Sequence, residues 1–221
     1  MPERSALSIA AMDSLPIDEA QVVLTWVFTI TLGFSLAACA GLRAFLPLLI
    51  AGMTARFTDA VELGDSFAFL ESTPALVVFG VATVAEIVGD KIPTVDHALD
   101  VFGTFARPAA GALLSAAVLY QVEDPLWAIG IGICVGAPTA AVPHVVKSAT
   151  RGLSTAFTFG IGNPLLSILE DLTAITLAIA AVVLPIVVGF SVLVIGVVVL
   201  VWLMRLRRAR GAAAVATPAP A

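Results

Sequence analysis

The chain has 221 residues, of which 60% are hydrophobic and only 12% charged, and its mean hydropathy is +1.06. A soluble domain carries about 25% charged and roughly 45–50% apolar residues, so this composition excludes an ordinary soluble enzyme or binding domain and places the chain in a bilayer. The net charge of −5 sums an acidic first half and a basic end, and no basic patch with interleaved aromatics is present, so no nucleic-acid partner is expected.

Spans are read from the charge-free stretches, at about 20 residues per crossing. Residues 1–19 form a polar tail. Ala20 to Leu42 holds 23 uncharged residues and reads as the first transmembrane helix. Residues 41–57 are apolar but flanked by Arg43 and Arg56 and interrupted by Pro47 and Gly52. They read as a re-entrant or interfacial segment. Residues 58–73 carry Asp59, Glu62, Asp65 and Glu71, an acidic loop, and Pro74 opens a second helix to about Ile92.

A polar segment, 93–107, is expected next, then a third helix from Pro108 to Gln121 that extends back through Phe105 and Arg107. Glu123, Asp124 and Pro125 make an acidic turn. The fourth helix, Leu126 to Val142, presents Gly130, Gly132 and Gly136 as a small-residue face for close packing. After Pro143, His144, Lys147 and Arg151 recur on one helical face, a basic amphipathic helix. Asn163 and Pro164 start a fifth helix reaching Leu184, and Pro185 separates it from a sixth, Ile186 to Met204. Residues 205–221 are a basic, then low-complexity tail.

The fold class expected is therefore all-α: a polytopic membrane protein with about six transmembrane helices and one membrane domain over 20–204. With the N-terminus inside, Arg4, Lys91, Arg107, Lys147, Arg151, Arg205, Arg207, Arg208 and Arg210 fall inside, against Arg43 and Arg56 outside. Basic residues favour the cytoplasmic side, so both termini are expected there, in the cell (inner) membrane. The parallels of Pro47 with Pro143 and of Pro74 with Pro164 suggest two inverted three-helix repeats, 20–122 and 125–204, with proline-broken segments.

The stretches EIVGDKIPTVDHALDVFGTFARPAAGALL, from Glu86, and GLRAFLPLL, from Gly41, resemble a bacterial family of integral membrane proteins, the DUF4126 family, a domain of unknown function. The resemblance runs from about Leu32 to Leu184. It implies a polytopic membrane protein and names no substrate.

Ionisable groups inside an apolar chain are expensive, so each must pair, titrate or face water. Glu86, Asp90, Glu170 and Asp171 are the acidic candidates for ion or substrate binding, with Arg43, Lys147 and Arg151 to attract an anionic group. Without a transport role the same carboxylates would pin helices by pairing with these cations, and the basic faces would anchor to anionic lipid headgroups. A secondary polar cluster comprises Lys91, Asp96, His97, Asp100, Arg107 and His144. Of these, Asp96, His97 and Asp100 are the groups a metal-dependent enzyme would use, but they lack a ligand spacing, and the histidines read as interfacial residues. Cys39 and Cys134 lie in apolar runs and read as packing residues. A lipoprotein-like Leu36–Cys39 box follows a run that is too long and too acidic in its approach for a signal peptide. No metal or cofactor and no nucleophilic or redox catalysis is indicated. The functions weighed are thus a small transporter or channel for an ion, anionic metabolite or lipid; a scaffold or assembly factor; and the metal-dependent enzyme. The expected partners are the bilayer, anionic headgroups and a second copy in a homodimer.

Overall fold

The computed structural model describes residues 19–159 and 161–215; within them the side chains of Pro93, Thr94, Asp96, His97, 200, 202, 203 and 206–215 fall outside the description. The expectations for the N-terminal tail and for the side chains of Asp96 and His97 therefore lie outside the described residues.

Among the described residues the fold is all-α, with eight α-helices: α1 (Glu19–Leu42), α2 (Phe45–Phe57), α3 (Thr73–Gly89), α4 (Pro93–Ala117), α5 (Pro125–Ile131), α6 (Ala137–Thr158), α7 (Asn163–Val183) and α8 (Pro185–Val215). A 3-10 helix, Asp65–Glu71, precedes α3, and a π-helical turn, Gly132–Gly136, joins α5 to α6. Helix starts follow local chemistry. The Ser72 hydroxyl accepts from the Ala75 N–H at 3.3 Å with Pro74 in the first turn of α3. Asp124 accepts from the Leu126 N–H at 2.9 Å with Pro125 opening α5, so the acidic turn of the sequence is a helix cap.

Three helical runs are long and apolar enough to cross a membrane: α1, the 34 residues from Pro125 to Thr158, and α7. A fourth is added if the 3-10 helix and α3, bent by 59°, form one span.

α1 lies at the centre, packed against α4, α6, α7 and α8. Its inner half, with Leu32, Leu36, Ala37, Ala38, Cys39 and Ala40, is the core of the bundle, which places the lipoprotein-like box deep in the interior. Cys134, by contrast, is exposed on the π-turn. The close approaches fall where glycine removes a side chain. A Cβ on Gly136 would run into the Gly111 carbonyl and Ser115, and one on Gly132 into the Ala112 carbonyl, whereas Gly130 faces open space. Two of the three glycines of the expected small-residue face thus make the α4 contact. Gly136→Val is expected to force α4 away from the π-turn and cost about 1–3 kcal/mol, with Gly130→Val near neutral. Thermal unfolding of the two variants in detergent checks this.

The path of the chain differs from the sequence reading in three places. First, 41–57 holds a 13-residue helix, Phe45–Phe57, that packs into the bundle. The chain reverses at Arg43, and α2 climbs back beside α3: Ala44 meets Glu86, while Gly52 abuts Leu70 and Leu76. By Gly64, whose N–H donates to the Ala117 carbonyl at 2.8 Å, it has reached the far end of α4. Buried Leu46, Pro47, Leu48 and Ala51 make this short pass part of the core.

Second, 93–107 is not a separate polar segment, and neither Pro108 nor Pro143 ends a helix: both lie inside α4 and α6. A membrane bundle tolerates an internal proline because neighbouring groups and local adjustments, such as π-turns, satisfy the freed backbone.

Third, Pro185 starts α8 without reversing the chain. Asp171 pairs with Arg43, the Pro185 carbonyl lies 3.3 Å from the Ser35 hydroxyl, and Gly189 packs on Thr31. The rising numbers on α7 and α8 meet falling numbers on α1, so α7 and α8 run one after the other in one direction. The missing proline N–H breaks the helix ladder and no more.

The described chain therefore makes six alternating passes through the bundle, which are α1, α2, α3, α4, α5–α6 and α7–α8. Its first and last helices begin and end at the same end.

Candidate functional site: a buried charge network

Arg43 sits in the α1–α2 reversal, where the chain turns immediately after α1 and aims the side chain inward. Its guanidinium is fully buried, within 2.5 Å of Asp90 through Nη1 and paired with Asp171 through Nη2; Nη1 also donates to the Glu86 carbonyl at 3.1 Å. Asp90, at the C-terminal end of α3, is the hub. Its Oδ2 receives Lys147 Nζ at 3.0 Å and Arg151 Nη2 at 3.0 Å in addition to Arg43. The i, i+4 spacing of Lys147 and Arg151 on α6 lets both reach one oxygen.

Glu170 and Asp171, about two turns into α7, share the cations of this cluster. Glu170 Oε2 lies 2.6 Å from Arg151 and 3.3 Å from Lys147, and Asp171 Oδ2 accepts from Lys91 at 2.8 Å. On the other flank, Glu86 Oε1 accepts from the Ala44 N–H at 3.2 Å and lies 3.6 Å from the fully buried Arg107 of α4. Arg107 also lies 3.8 Å from Asp100 and donates to His144 Nδ1 at 2.5 Å.

Because a guanidinium only donates, His144 Nδ1 must be an unprotonated acceptor, which makes the ring neutral with its proton on Nε2. Nε2 lies 3.3 Å from the Thr104 hydroxyl, which in turn donates to the Asp100 carbonyl at 3.0 Å. His144 is therefore buried and neutral, not interfacial.

Among the described residues the network holds five cations, Arg43, Lys91, Arg107, Lys147 and Arg151, and five anions, Glu86, Asp90, Asp100, Glu170 and Asp171. With His144 neutral, the sum is zero. Neutrality is what a low-dielectric interior demands of buried ions. Several polar atoms within it are nonetheless buried without a hydrogen-bond partner: Asp90 Oδ1, Glu86 Oε2, and Nε of both Arg43 and Arg107.

All seven primary candidates from the sequence meet here, and four of the six secondary ones, Lys91, Asp100, Arg107 and His144, join them. The two clusters are one. Arg43, Lys147 and Arg151 are interior residues in this arrangement, while Arg56 is exposed and binds the Glu71 carbonyl and the Thr73 hydroxyl. Arg43 also shares an oxygen with Lys147 and Arg151, so these three do not belong to opposite sides of a membrane. Thr104 was missed; the signal was its place with Asp100 and Arg107 at i, i+4 and i+7 on one face of α4.

A small cavity of about 130 Å³ borders the network, between α2, α3 and α4. Its lining is apolar (Phe45, Ala82, Leu99, Phe102 and neighbours) except for Glu86.

The all-α fold, its apolar membrane-length helices and its buried balanced charges are those of a helical integral membrane protein. The chain belongs to the DUF4126 family, a domain of unknown function, which it matches over residues 30–206. No curated protein and no solved structure matches it.

Proposed function

We propose that the protein is a six-crossing carrier of the inner membrane that moves a small anion, whether an inorganic ion, an anionic metabolite or a lipid headgroup. The observation that supports this reading is the convergence of Arg43, Lys147 and Arg151 on the single oxygen Asp90 Oδ2. Three cations around one oxygen form a seat for a carboxylate or phosphate group, and Asp90 occupies it as an internal anion. An incoming anion exchanges with Asp90 for the same donors and adds one negative charge to the network. Six buried charges, Arg43, Glu86, Asp90, Arg107, Lys147 and Arg151, with four partly exposed ones around them, are a costly way to hold helices together, since apolar packing of equal volume does so at least as well. Their gathering in one cluster fits a path for charge.

Each pass of the bundle is taken as one crossing, α2 being the shortest. The end bearing the helix that carries Arg205, Arg207, Arg208 and Arg210 is placed in the cytoplasm, together with the N-terminus. On a background lacking Cys39 and Cys134, cysteines at Ala60 and Ile92 are expected to react with an impermeant maleimide from opposite sides of the membrane, Ala60 from the cytoplasm. Reaction of both from one side sinks the topology.

Transport is tested in proteoliposomes with methanesulfonate, a monoanion whose charge does not change with pH. The wild type is expected to take it up, and Glu86→Gln to slow net uptake on the order of tenfold. Absence of flux in the wild type overturns the reading.

A second reading is supported by the completeness of the pairing: every charge in the network has an internal partner, as in a scaffold or assembly factor whose ions only pin helices. It expects Glu86→Gln to change the recovery of complexes from membranes and to leave flux through proteoliposomes at background in both proteins.

A further inference from the structure

Glu86 differs from the other four acids of the network. Its Oε1 faces inward, to the Ala44 N–H and Arg107, and its Oε2 is buried with no hydrogen-bond partner, as are Asp90 Oδ1 and Asp100 Oδ1, but among the described residues Glu86 alone of the ionisable groups lines the apolar cavity between α2, α3 and α4. The cavity adjoins the outer apolar surface, where Ala85 and Phe102 are exposed. A carboxylate that is more than nine-tenths buried, leaves one oxygen without a donor and lines a low-dielectric cavity is a place for a proton.

The groups that face it set the consequence. Arg43 reaches the Glu86 carbonyl from the α1–α2 reversal, Arg107 and Asp100 approach from α4 with neutral His144 of α6 behind them, and Asp90 and Lys91 follow on its own chain. These groups and their partners balance at five positive and five negative. A proton on Glu86 leaves the network at plus one in an interior that disfavours net charge. An anion in the seat of Arg43, Lys147 and Arg151 restores zero.

We propose that Glu86 is the proton-binding group of the carrier, and that one proton on its Oε2 is taken up together with each monovalent anion, which makes transport an electroneutral proton–anion symport. This rests on the anion-carrier reading above and adds the coupling ion and its address. Nothing is oxidised or reduced: the proton arrives from water, forms the Oε2–H bond, and leaves to water with the anion on the opposite side.

The test uses the full chain in nanodiscs and methanesulfonate as the probe. Its affinity is expected to fall as the pH rises, by up to about tenfold per pH unit, the signature of one proton bound per anion. In Glu86→Gln, which keeps the shape and is permanently neutral, affinity is expected to be the same at every pH. Infrared difference spectra of the wild type between acidic and neutral buffer are expected to show a protonated-carboxyl C=O band that Glu86→Gln lacks, and this measurement requires no transport.

In proteoliposomes, uptake is expected to follow an imposed pH gradient and to ignore a potassium–valinomycin potential. Binding independent of pH in the wild type, a pH dependence retained in Glu86→Gln, or uptake driven by potential overturns the proton role while the carrier reading stands. No binding and no flux at any pH overturns the carrier reading and this inference with it.

Discussion

Asp90→Ala is expected to destabilise the protein by about 3–5 kcal/mol, because it strips the shared counter-ion from three buried cations at once. Arg43, Lys147 and Arg151 all meet Asp90 Oδ2 within 3.0 Å, and the side chains of Arg43, Lys147 and Asp90 are fully buried. The same substitution opens the seat. Formate or methanesulfonate, added to the detergent-solubilised variant, should then raise its unfolding temperature by several degrees more than that of the wild type, where Asp90 already fills the position. A loss below about 1 kcal/mol, the size of an exposed ion pair, would show that Asp90 is not the hub. A full-sized loss without anion rescue would leave the hub intact and remove the support for an anion seat.

Arg43→Met should be nearly as damaging, again about 3–5 kcal/mol. One guanidinium joins the α1–α2 reversal to α3 and α7 by reaching Asp90, Asp171 and the Glu86 carbonyl together. Arg43→Lys is expected to recover little, since an ammonium is a single point charge that cannot hold two carboxylates in a planar fork. Combining Arg43→Met with Asp171→Leu should cost less than the sum of the two single changes. A coupling of at least about 1 kcal/mol in the double-mutant cycle is expected for groups in direct contact, and additive behaviour would place the Arg43–Asp171 pair outside the folded state in solution. Denaturation of the four proteins in detergent, followed by tryptophan fluorescence, provides the comparison.

The residues of the network were legible early, because a membrane chain with 12% charged residues can hide few of them. Glu86, Asp90, Glu170 and Asp171 stood out as acids within or beside apolar runs, and Arg43, Lys147 and Arg151 as their possible partners. Which acid is central was not legible. Asp90 lies one turn from Glu86 and has the same surroundings in sequence, but among the described acids only Asp90 receives cations from both α6 and the α1–α2 reversal. In the sequence Arg107 falls in the polar segment 93–107 and His144 reads as an interfacial histidine, so both rank as secondary. In the folded protein α4 runs unbroken from Pro93 to Ala117 and turns Arg107 inward. Local propensity placed helix ends at prolines; contacts with neighbouring helices decided which of those prolines mattered.

The path of the chain shows the same division. A charge-free run of 23 residues identified α1, and proline with a polar residue identified the starts of α3, α5 and α7, since capping and first-turn chemistry are local. Direction is not local. That α2 climbs as a short pass, and that α8 continues α7 instead of reversing after Pro185, follow only from Gly52 against Leu70, Ser35 against Pro185 and Thr31 against Gly189.

Composition by itself determined that this chain belongs in a bilayer and that its few charges must be accounted for one by one, because solvation cost depends on residue type and not on position in space. The tertiary structure alone decided the accounting. Among the described residues it set five cations against five anions in one largely buried network, left Glu86 lining an apolar cavity with its Oε2 unpartnered, and placed three cations on Asp90, because the Coulomb energy of buried ions depends on distances that only the folded chain defines.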